Sequence, residues 1–199
     1  MTAGGLSLLD WRRQMAWLYK DVRHAPTPAD GHALWVAERG RLMREHSQSP
    51  NRTATLRYAP YDESWRAELD VDVDVEPIHI DLPTATDGVV PFDRIGIVRH
   101  PRAGELSVWW LGSYAGGLWL PIRDGSPSTY PGGRYVIDTA KGADLGGAID
   151  PRTGTGQLIV DLNFAYNPSC AYDEAWACPL APAGNATDVA VEAGELTPA

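Results

Sequence analysis

Hydrophobic residues near the amino terminus recur every three or four positions, the spacing that places side chains on one face of an α-helix. We expect Ser7 and Asp10 to cap the start of this helix, because their side-chain oxygens can accept hydrogen bonds from the unpaired amides of the first turn. The pattern therefore predicts an amphipathic helix with one apolar stripe. The stripe consists of Leu8, Trp11, Met15, Leu18 and Val22.

A second helix is predicted to begin at Thr27-Pro28. Proline suits this position because it lacks only an amide hydrogen that the first turn of a helix leaves unpaired. The helix should end before Pro50. Its apolar positions are Leu34, Trp35, Leu42 and Met43.

After Pro50 the hydrophobic period changes to 2, the spacing of a strand with one buried face. Apolar and charged residues alternate from 65 to 75, which predicts a half-buried strand. Its inward positions are Trp65, Ala67, Leu69, Val71, Val73 and Val75, and its outward positions are Arg66, Glu68, Asp70, Asp72 and Asp74. Neighbouring carboxylates on one face lie about 6.6 Å apart, too far to share a calcium ion, so we interpret this row as a solvated face.

Several shorter strands follow. Ile78, Ile80 and Leu82 repeat the alternation, and the Asp87-Gly88 step is a turn signal. His79 falls on the polar side of its strand. The remaining strand candidates are 92–98, 106–111, 118–122, 134–138, 157–162 and 188–192.

These elements predict an α+β fold that is mainly β. Eight or nine short strands separated by turn signals are typical of an antiparallel β-sandwich or barrel, with the two N-terminal helices packed outside it. We expect a helical segment over 1–50 and a β-rich domain over 51–199, together forming one compact unit. Two segments fit neither period: the glycine-rich stretch 139–156 and the Asn-, Pro- and aromatic-rich stretch 163–187.

The charge of the chain argues against several partners. Seventeen basic and 26 acidic residues give a formal net charge of -9, which disfavours binding to nucleic acid or to an anionic membrane. The N-terminus lacks the pattern of a signal peptide. The uncharged stretch 106–122 is interrupted by glycines and a proline, so two strands explain it better than a membrane helix. We therefore expect a cytoplasmic protein.

The sequence contains no familiar catalytic or cofactor motif. It lacks the glycine-rich phosphate loops and the serine elbow of hydrolases. The five histidines are widely spaced, so nothing indicates a metal site. Cys170 and Cys178, separated by seven residues, provide at most half of a zinc site. They are either small packing residues or reactive thiols, and a reactive Cys170 would need a neighbouring base or cation.

Polar and aromatic residues are most concentrated in the C-terminal third of the chain. Arg134 could hold a carboxylate or phosphate with its planar guanidinium while Asn and Tyr side chains orient the ligand. Alternatively, buried side chains of these types often satisfy the backbone of an irregular segment. The polar group consists of Asp124, Tyr130, Arg134, Asp161, Asn163, Tyr166, Asn167, Tyr172 and Glu195.

The string NFAYNPSCAYDEAWACPLAP, with TYPGGRY before it and AGE after it, resembles the bacterial family called domain of unknown function 1684. The resemblance extends through REHSQSP, VVPFDRIGIVRHP, LSVWWLGSYAGGLWLPIRD and KGADLGG, so it covers most of the chain. The family has no established activity, and the resemblance therefore implies none. Relatives usually have Pro-Glu-Asn where this chain has Ala183-Gly184-Asn185.

The resemblance does mark positions. The family pattern falls on Asp124, Tyr130, Gly133, Arg134, Tyr135, Asp161, Asn163, Tyr166, Asn167, Pro168, Cys170, Tyr172, Cys178, Pro179, Asn185 and Glu195. Combined with the polar cluster, this yields our candidate ligand-binding residues, hereafter the candidate set. The candidate set is Asp124, Tyr130, Arg134, Asp161, Asn163, Tyr166, Asn167, Cys170, Tyr172, Cys178, Asn185 and Glu195.

Two functions remain open at this point. One is a small-molecule-binding protein or enzyme with a polar pocket between the β-domain and the 163–187 segment. The other is a non-catalytic structural or interaction module, because eight tryptophans are many for 199 residues and tryptophan is enriched at binding surfaces. The sequence does not indicate a cofactor, a substrate, a reaction class or an oligomeric state.

Overall fold

The computed structural model describes residues 2–51, 53–84, 88–114, 116–176 and 178–199. The helices are α1 (Thr2–Arg23) and α2 (Pro28–Glu45). The strands are β1 (Arg66–Asp70), β2 (His79–Thr84), β3 (Gly88–His100), β4 (Gly104–Leu111), β5 (Gly117–Ile122), β6 (Arg134–Asp138), β7 (Gly147–Ile149) and β8 (Gly156–Asp161). Short 3₁₀ turns lie at Glu63–Trp65, Thr139–Lys141, Leu162–Phe164, Ser169–Ala171 and Ala183–Asn185.

The strands form two antiparallel sheets. One has three strands in the order β1-β8-β7, and the other has five in the order β2-β3-β4-β5-β6. The predicted mainly β, α+β sandwich with two N-terminal helices is therefore confirmed. The barrel alternative is wrong, since the sheets of the described residues do not close on each other.

The five-stranded sheet is buried on both faces, because alternate side chains along its strands enter two different cores. Val108, Leu120 and Val136 pack against the three-stranded sheet. Their chain neighbours Trp109, Trp119 and Tyr135 point to the opposite face and pack against the helices. This arrangement explains why β4, β5 and β6 are nearly continuous hydrophobic runs in the sequence.

The helices join the second core through large buried side chains. Trp35 of α2 and Tyr19 of α1 are fully buried, and the indole of Trp35 donates to the Tyr19 hydroxyl at 3.2 Å. The predicted start of α2 is confirmed: the Thr27 hydroxyl accepts from the amide of Asp30. The predicted cap of α1 is wrong, because the helix begins at Thr2 and the hydroxyl of Ser7 instead donates to the carbonyl of Gly4 within it.

Five predicted strands, 92–98, 106–111, 118–122, 134–138 and 157–162, are confirmed as β3, β4, β5, β6 and β8. The strand predicted over 65–75 is only partly correct. Its pairing with β8 ends opposite Gln157, and beyond that point Asp72 forms a single bridge to Ile97 while Val73 is exposed. A strand can extend only as far as its partner.

Two further expectations need correction. No strand forms over 188–192, where the carbonyl of Val189 accepts from the amide of Gly125 and that of Val191 from the Arg134 side chain. The 139–156 stretch is not entirely a loop, since it contains the short edge strand β7. Of the predicted Asp87-Gly88 turn, Asp87 lies outside the described residues, and Gly88 has a positive φ of 72°.

Candidate functional site

An open cleft of about 670 Å³ lies at one end of the five-stranded sheet. The end of β2, the beginning of β3, the end of β4, the beginning of β5 and the end of β6 meet there, because neighbouring strands run in opposite directions. Its walls also include Arg12 of α1, the connection between β4 and β5, the Thr139–Lys141 turn and Pro179. The cleft is thus assembled from segments that are far apart in the chain.

The floor of the cleft is a row of aromatic rings that are almost completely buried, each at most 3% exposed. The ring centroids of Phe92 and Trp119 are 4.6 Å apart, and those of Trp119 and Tyr135 are 5.5 Å apart in an edge-to-face arrangement. The indole Nε1 of Trp119 has no hydrogen-bond partner within the described part of the chain. Val90 and Leu118 contribute half-buried apolar surface above this row.

One side of the cleft carries charge. The Oδ2 atom of Asp138 accepts hydrogen bonds from the Tyr166 hydroxyl at 3.3 Å and lies 3.4 Å from Nζ of Lys141. Burial raises the pKa of Tyr166 well above its usual range, so this phenol remains a neutral donor. Lys141 Nζ is 5.1 Å from the ring centroid of Tyr135, so the ammonium borders the aromatic floor. Arg12 is exposed at the rim.

Arg134 lies in the protein interior, with its guanidinium surrounded by the chain itself. It forms an ion pair with Asp124 at 2.8 Å, and both side chains are almost completely buried. The Nη2 atom of this pair also donates to the carbonyl of Val191, and Nη1 donates to the carbonyls of Ala193 and Glu195. Only Nε lacks a partner among the described residues. These bonds attach the C-terminal segment to β6.

Glu195 is the centre of a second buried ion pair. Its carboxylate accepts from Arg39 of α2 at 2.9 Å, from the Tyr172 hydroxyl and from the backbone amide of Asn167 at 3.1 Å. The Arg39 guanidinium also lies over the ring of Tyr166, 4.7 Å from its centroid. The network connects helix α2 to two segments of the C-terminal third.

Asp161 and Asn163 form a local buried pair. Asp161 Oδ1 accepts from both the backbone amide and the side-chain amide of Asn163, at 3.0 and 2.7 Å. Asn163 Oδ1 in turn accepts from the amide of Asp62. Burial raises the pKa of Asp161 to about 6. Its side chain borders a hollow of about 120 Å³ next to the turn between α1 and α2.

The side chain of Asn185 forms hydrogen bonds within the fold. Its carbonyl oxygen accepts from the indole of Trp109 at 2.8 Å, and its amide donates to the carbonyls of Ser107 and Pro121. Asn167 similarly donates to the carbonyl of Leu196. Asn185 thus fixes its own segment to β4 and β5, and Asn167 fixes the segment near the C-terminus.

Cys170 and Cys178 are free thiols, both partly buried. The hydroxyl of Tyr130 lies 3.7 Å from Cys170 Sγ, and burial raises the pKa of Tyr130 to about 12. Burial also raises the pKa of the Cys178 thiol. With its pKa raised, the Cys178 thiol is a weak nucleophile at neutral pH. Within the described ranges, no group of three His, Cys, Asp or Glu side chains is arranged to hold a metal ion.

The structure separates the candidate set into these buried clusters and does not gather it around one cavity. Tyr166 reaches the 670 Å³ cleft through Asp138, Cys178 immediately precedes the wall residue Pro179, and Asp161 borders the smaller hollow. Sequence reasoning missed Trp119, Asp138 and Lys141 as cleft residues. The sequence signal that could have identified them is the position of aromatic and charged residues at the ends of predicted strands. This position indicated the cleft better than the local density of polar residues did.

Comparisons with known proteins agree with the fold and supply no activity. A family model described as "Protein of unknown function (DUF1684)" matches residues 52–196. The solution NMR structure of the uncharacterised protein from gene locus rrnAC0354 of Haloarcula marismortui is 29% identical, with a TM-score of 0.55. That match covers 81% of this chain and 89% of the other. A search of curated proteins found no match. None of the described helices is long and apolar enough to cross a lipid bilayer.

Proposed function

This chain belongs to the DUF1684 family, and because that family is described only as proteins of unknown function, we propose an activity from the geometry alone. We propose that the protein binds a small molecule with a flat apolar body in the cleft at the end of the five-stranded sheet. The observation that carries this proposal is an open space of about 670 Å³ lined by the partly exposed apolar side chains of Val89, Val90 and Leu118, beneath which the rings of Phe92, Trp119 and Tyr135 form a buried floor.

The size and the lining of the cleft support a small ligand. Binding sites for small molecules usually enclose 300–1,000 Å³ and are lined mainly by apolar and aromatic side chains with a few polar groups. Over the rest of this sheet face, α1 and α2 pack against the aromatic side chains. Covering the remaining apolar surface with a ligand would gain about 25 cal/mol for each Å² removed from water.

In this proposal the candidate set supports the walls and does not contact the ligand directly. The Tyr135 hydroxyl donates to the carbonyl of Pro179 at 2.6 Å, which fixes the 163–187 segment against the floor. Tyr166 fixes Asp138 in the same way. The free thiols of Cys170 and Cys178 are compatible with the reducing cytoplasm, where we expect the protein to act.

The neutral fluorophore N-phenyl-1-naphthylamine tests the proposal, because its emission rises when it enters an apolar site. We expect saturable binding to the wild type and an affinity at least tenfold lower in Val90→Trp, since the indole would occupy the cleft above the aromatic floor. The matched control is Val73→Trp, which adds the same side chain at an exposed position outside the cleft. Equal binding to all three proteins, or no binding to the wild type, would overturn the proposal.

A protein-interaction module is the second candidate, favoured by the apolar residues at the rim of the cleft. Val89 and Tyr114 line the cleft and are largely exposed, and Trp110 of the adjoining strand is also exposed. Light scattering at increasing protein concentration would distinguish the two candidate functions where the partner is a second copy of this chain, because only the interaction module predicts self-association. A dimer that dissociates in Val89→Ser/Tyr114→Ser would favour the interaction module over the small-molecule site.

A further inference from the structure

The charged groups around the cleft specify its ligand more closely. Of the described residues that line it, Arg12, Lys141 and Asp138 carry charge, and two of these three are cations. The chain as a whole has a formal net charge of -9. A local excess of positive charge in an acidic protein attracts anions and disfavours cationic ligands.

The two cations belong to elements that touch each other. A Cβ atom on Gly142, which follows Lys141, would lie only 3.4 Å from Cα of Ala16 in α1. Arg12 is one helical turn before Ala16, so it lies on the part of α1 that continues from this contact to the cleft. The 139–141 turn and α1 therefore bring Arg12 and Lys141 to the same side of the opening.

Both cations can accept a further partner. Arg12 forms no ion pair or hydrogen bond with the described residues, and its side chain is exposed. Lys141 is 54% exposed and shares Asp138 with Tyr166. An ammonium has three donors, so the single contact with the buried Asp138 carboxylate does not saturate Lys141.

Lys141 also links the charged side of the cleft to its apolar floor, since its Nζ is 5.1 Å from the Tyr135 ring centroid. Leu118 lies beside the 139–141 turn, because its amide donates to the Thr139 hydroxyl at 2.7 Å. A ligand with its apolar body on Val90 and Leu118 would therefore have its adjacent end near the Lys141 ammonium. Resting on the proposed function, we infer that the ligand is an amphipathic organic anion. Its carboxylate, sulfonate or phosphate group would bind Arg12 and Lys141 while its apolar body covers Val90 and Leu118 above the aromatic floor.

Two fluorophores that differ by one sulfonate test this inference. 8-Anilinonaphthalene-1-sulfonate has the skeleton of N-phenyl-1-naphthylamine with an added anionic group. We expect the wild type to bind the sulfonate at least fivefold more tightly than the neutral probe, with the preference decreasing at 0.5 M NaCl because salt screens exposed charges. In Arg12→Gln/Lys141→Gln the two affinities should become equal, while that of the neutral probe changes less than twofold.

Arg13→Gln is the matched control, since Arg13 is an exposed neighbour on α1 that does not line the cleft. It should retain the preference for the sulfonate. Equal affinities of the two probes for the wild type, or an unchanged preference for the sulfonate in the double variant, would overturn the inference that the ligand is an anion. The proposed apolar site would still stand in that case if Val90→Trp weakened the neutral probe. If Val90→Trp affected neither probe, the cleft itself would be rejected, and circular dichroism of each variant would verify its fold.

Discussion

At Asp161 the fold imposes an unfavourable environment on a single carboxylate. The side chain is 1% exposed, and burial raises its pKa to about 6, although Asn163 donates two hydrogen bonds to it. Desolvation therefore outweighs hydrogen bonding, which by itself would lower the pKa. The carboxylate is tolerated because it organises the turn after β8, where its oxygen accepts the amide of Asn163.

This environment predicts a specific pH dependence of stability. An aspartate in the unfolded chain has a pKa near 3.9, so between about pH 4 and pH 6 the native state binds the proton more strongly. The contribution of Asp161 to the free energy of unfolding is fully present below pH 4 and is lost as the pH rises through 6. Each unit of pKa difference corresponds to about 1.4 kcal/mol, so the loss amounts to roughly 2–3 kcal/mol.

Urea denaturation of Asp161→Asn between pH 3.5 and 8 measures this effect. The amide keeps an acceptor for Asn163 but cannot ionise, so the difference in stability between wild type and variant should shift by roughly 2–3 kcal/mol across pH 4–6, in favour of the variant at higher pH. Asp74→Asn, which removes an exposed carboxylate, should follow the wild-type profile. If the stability of Asp161→Asn changed with pH in parallel with that of the wild type, the raised pKa of Asp161 would be contradicted.

Among the elements, the C-terminal segment is unusual because a side chain supplements its few backbone hydrogen bonds. Arg134 at the start of β6 donates to the carbonyls of Val191, Ala193 and Glu195, and Asp124 neutralises it. Gly194 supports the same path: its φ is +74°, and a Cβ there would lie 2.5 Å from the carbonyl oxygen of Ala165. Together with an isolated bridge between Tyr58 and Glu195, the guanidinium and the tight turn anchor this extended chain.

We therefore expect Arg134→Met to act on stability and not on the cleft. Removing the guanidinium leaves the Asp124 carboxylate buried without its counterion, a change that typically costs 3–5 kcal/mol. Urea denaturation would measure the loss, and Arg134→Met/Asp124→Asn should recover part of it because the unpaired charge is gone. A folded Arg134→Met protein that has normal stability but no longer binds the neutral probe would instead favour a ligand-binding role for Arg134.

At the scale of the whole molecule, the helices and the β-domain depend on each other. The family match begins at residue 52, yet Trp35 and Arg39 of α2 are buried in the core beyond it. Arg39 pairs with Glu195, which is fully buried near the C-terminus. Without the helices, one face of the five-stranded sheet would expose its aromatic row to water.

This dependence predicts that the fragment 51–199 does not fold as an independent domain. We expect it to lack a cooperative thermal transition, because the loss of α1 and α2 removes half of the second core and leaves Glu195 without its counterion. Differential scanning calorimetry of the fragment and the full chain would measure this. As a control, full-length Arg39→Met should remain cooperative with a lower Tm, and a cooperative transition in the fragment would contradict the prediction.

Local features of the fold could be predicted from the sequence alone. The start of α2 follows from Thr27 and Pro28, and β6 follows from the five residues after a glycine pair, the last of which is Asp138. Side-chain period and helix capping depend on residues within a few positions of each other, so a single sequence contains them completely. The resemblance to the family was likewise carried by contiguous strings, and the family match confirms it.

The tertiary structure alone decided where strands stop and what lies beside the cleft. β1 ends opposite the beginning of β8, and in 188–192 the carbonyl of Val191 accepts from the Arg134 side chain and not from a neighbouring strand. The cleft combines Arg12 with Lys141 and with the ends of five strands, and the buried ion pairs join Arg39 to Glu195 and Asp124 to Arg134. Such partners lie up to 156 positions apart, and their meeting depends on the packing of the whole chain, which no local pattern contains.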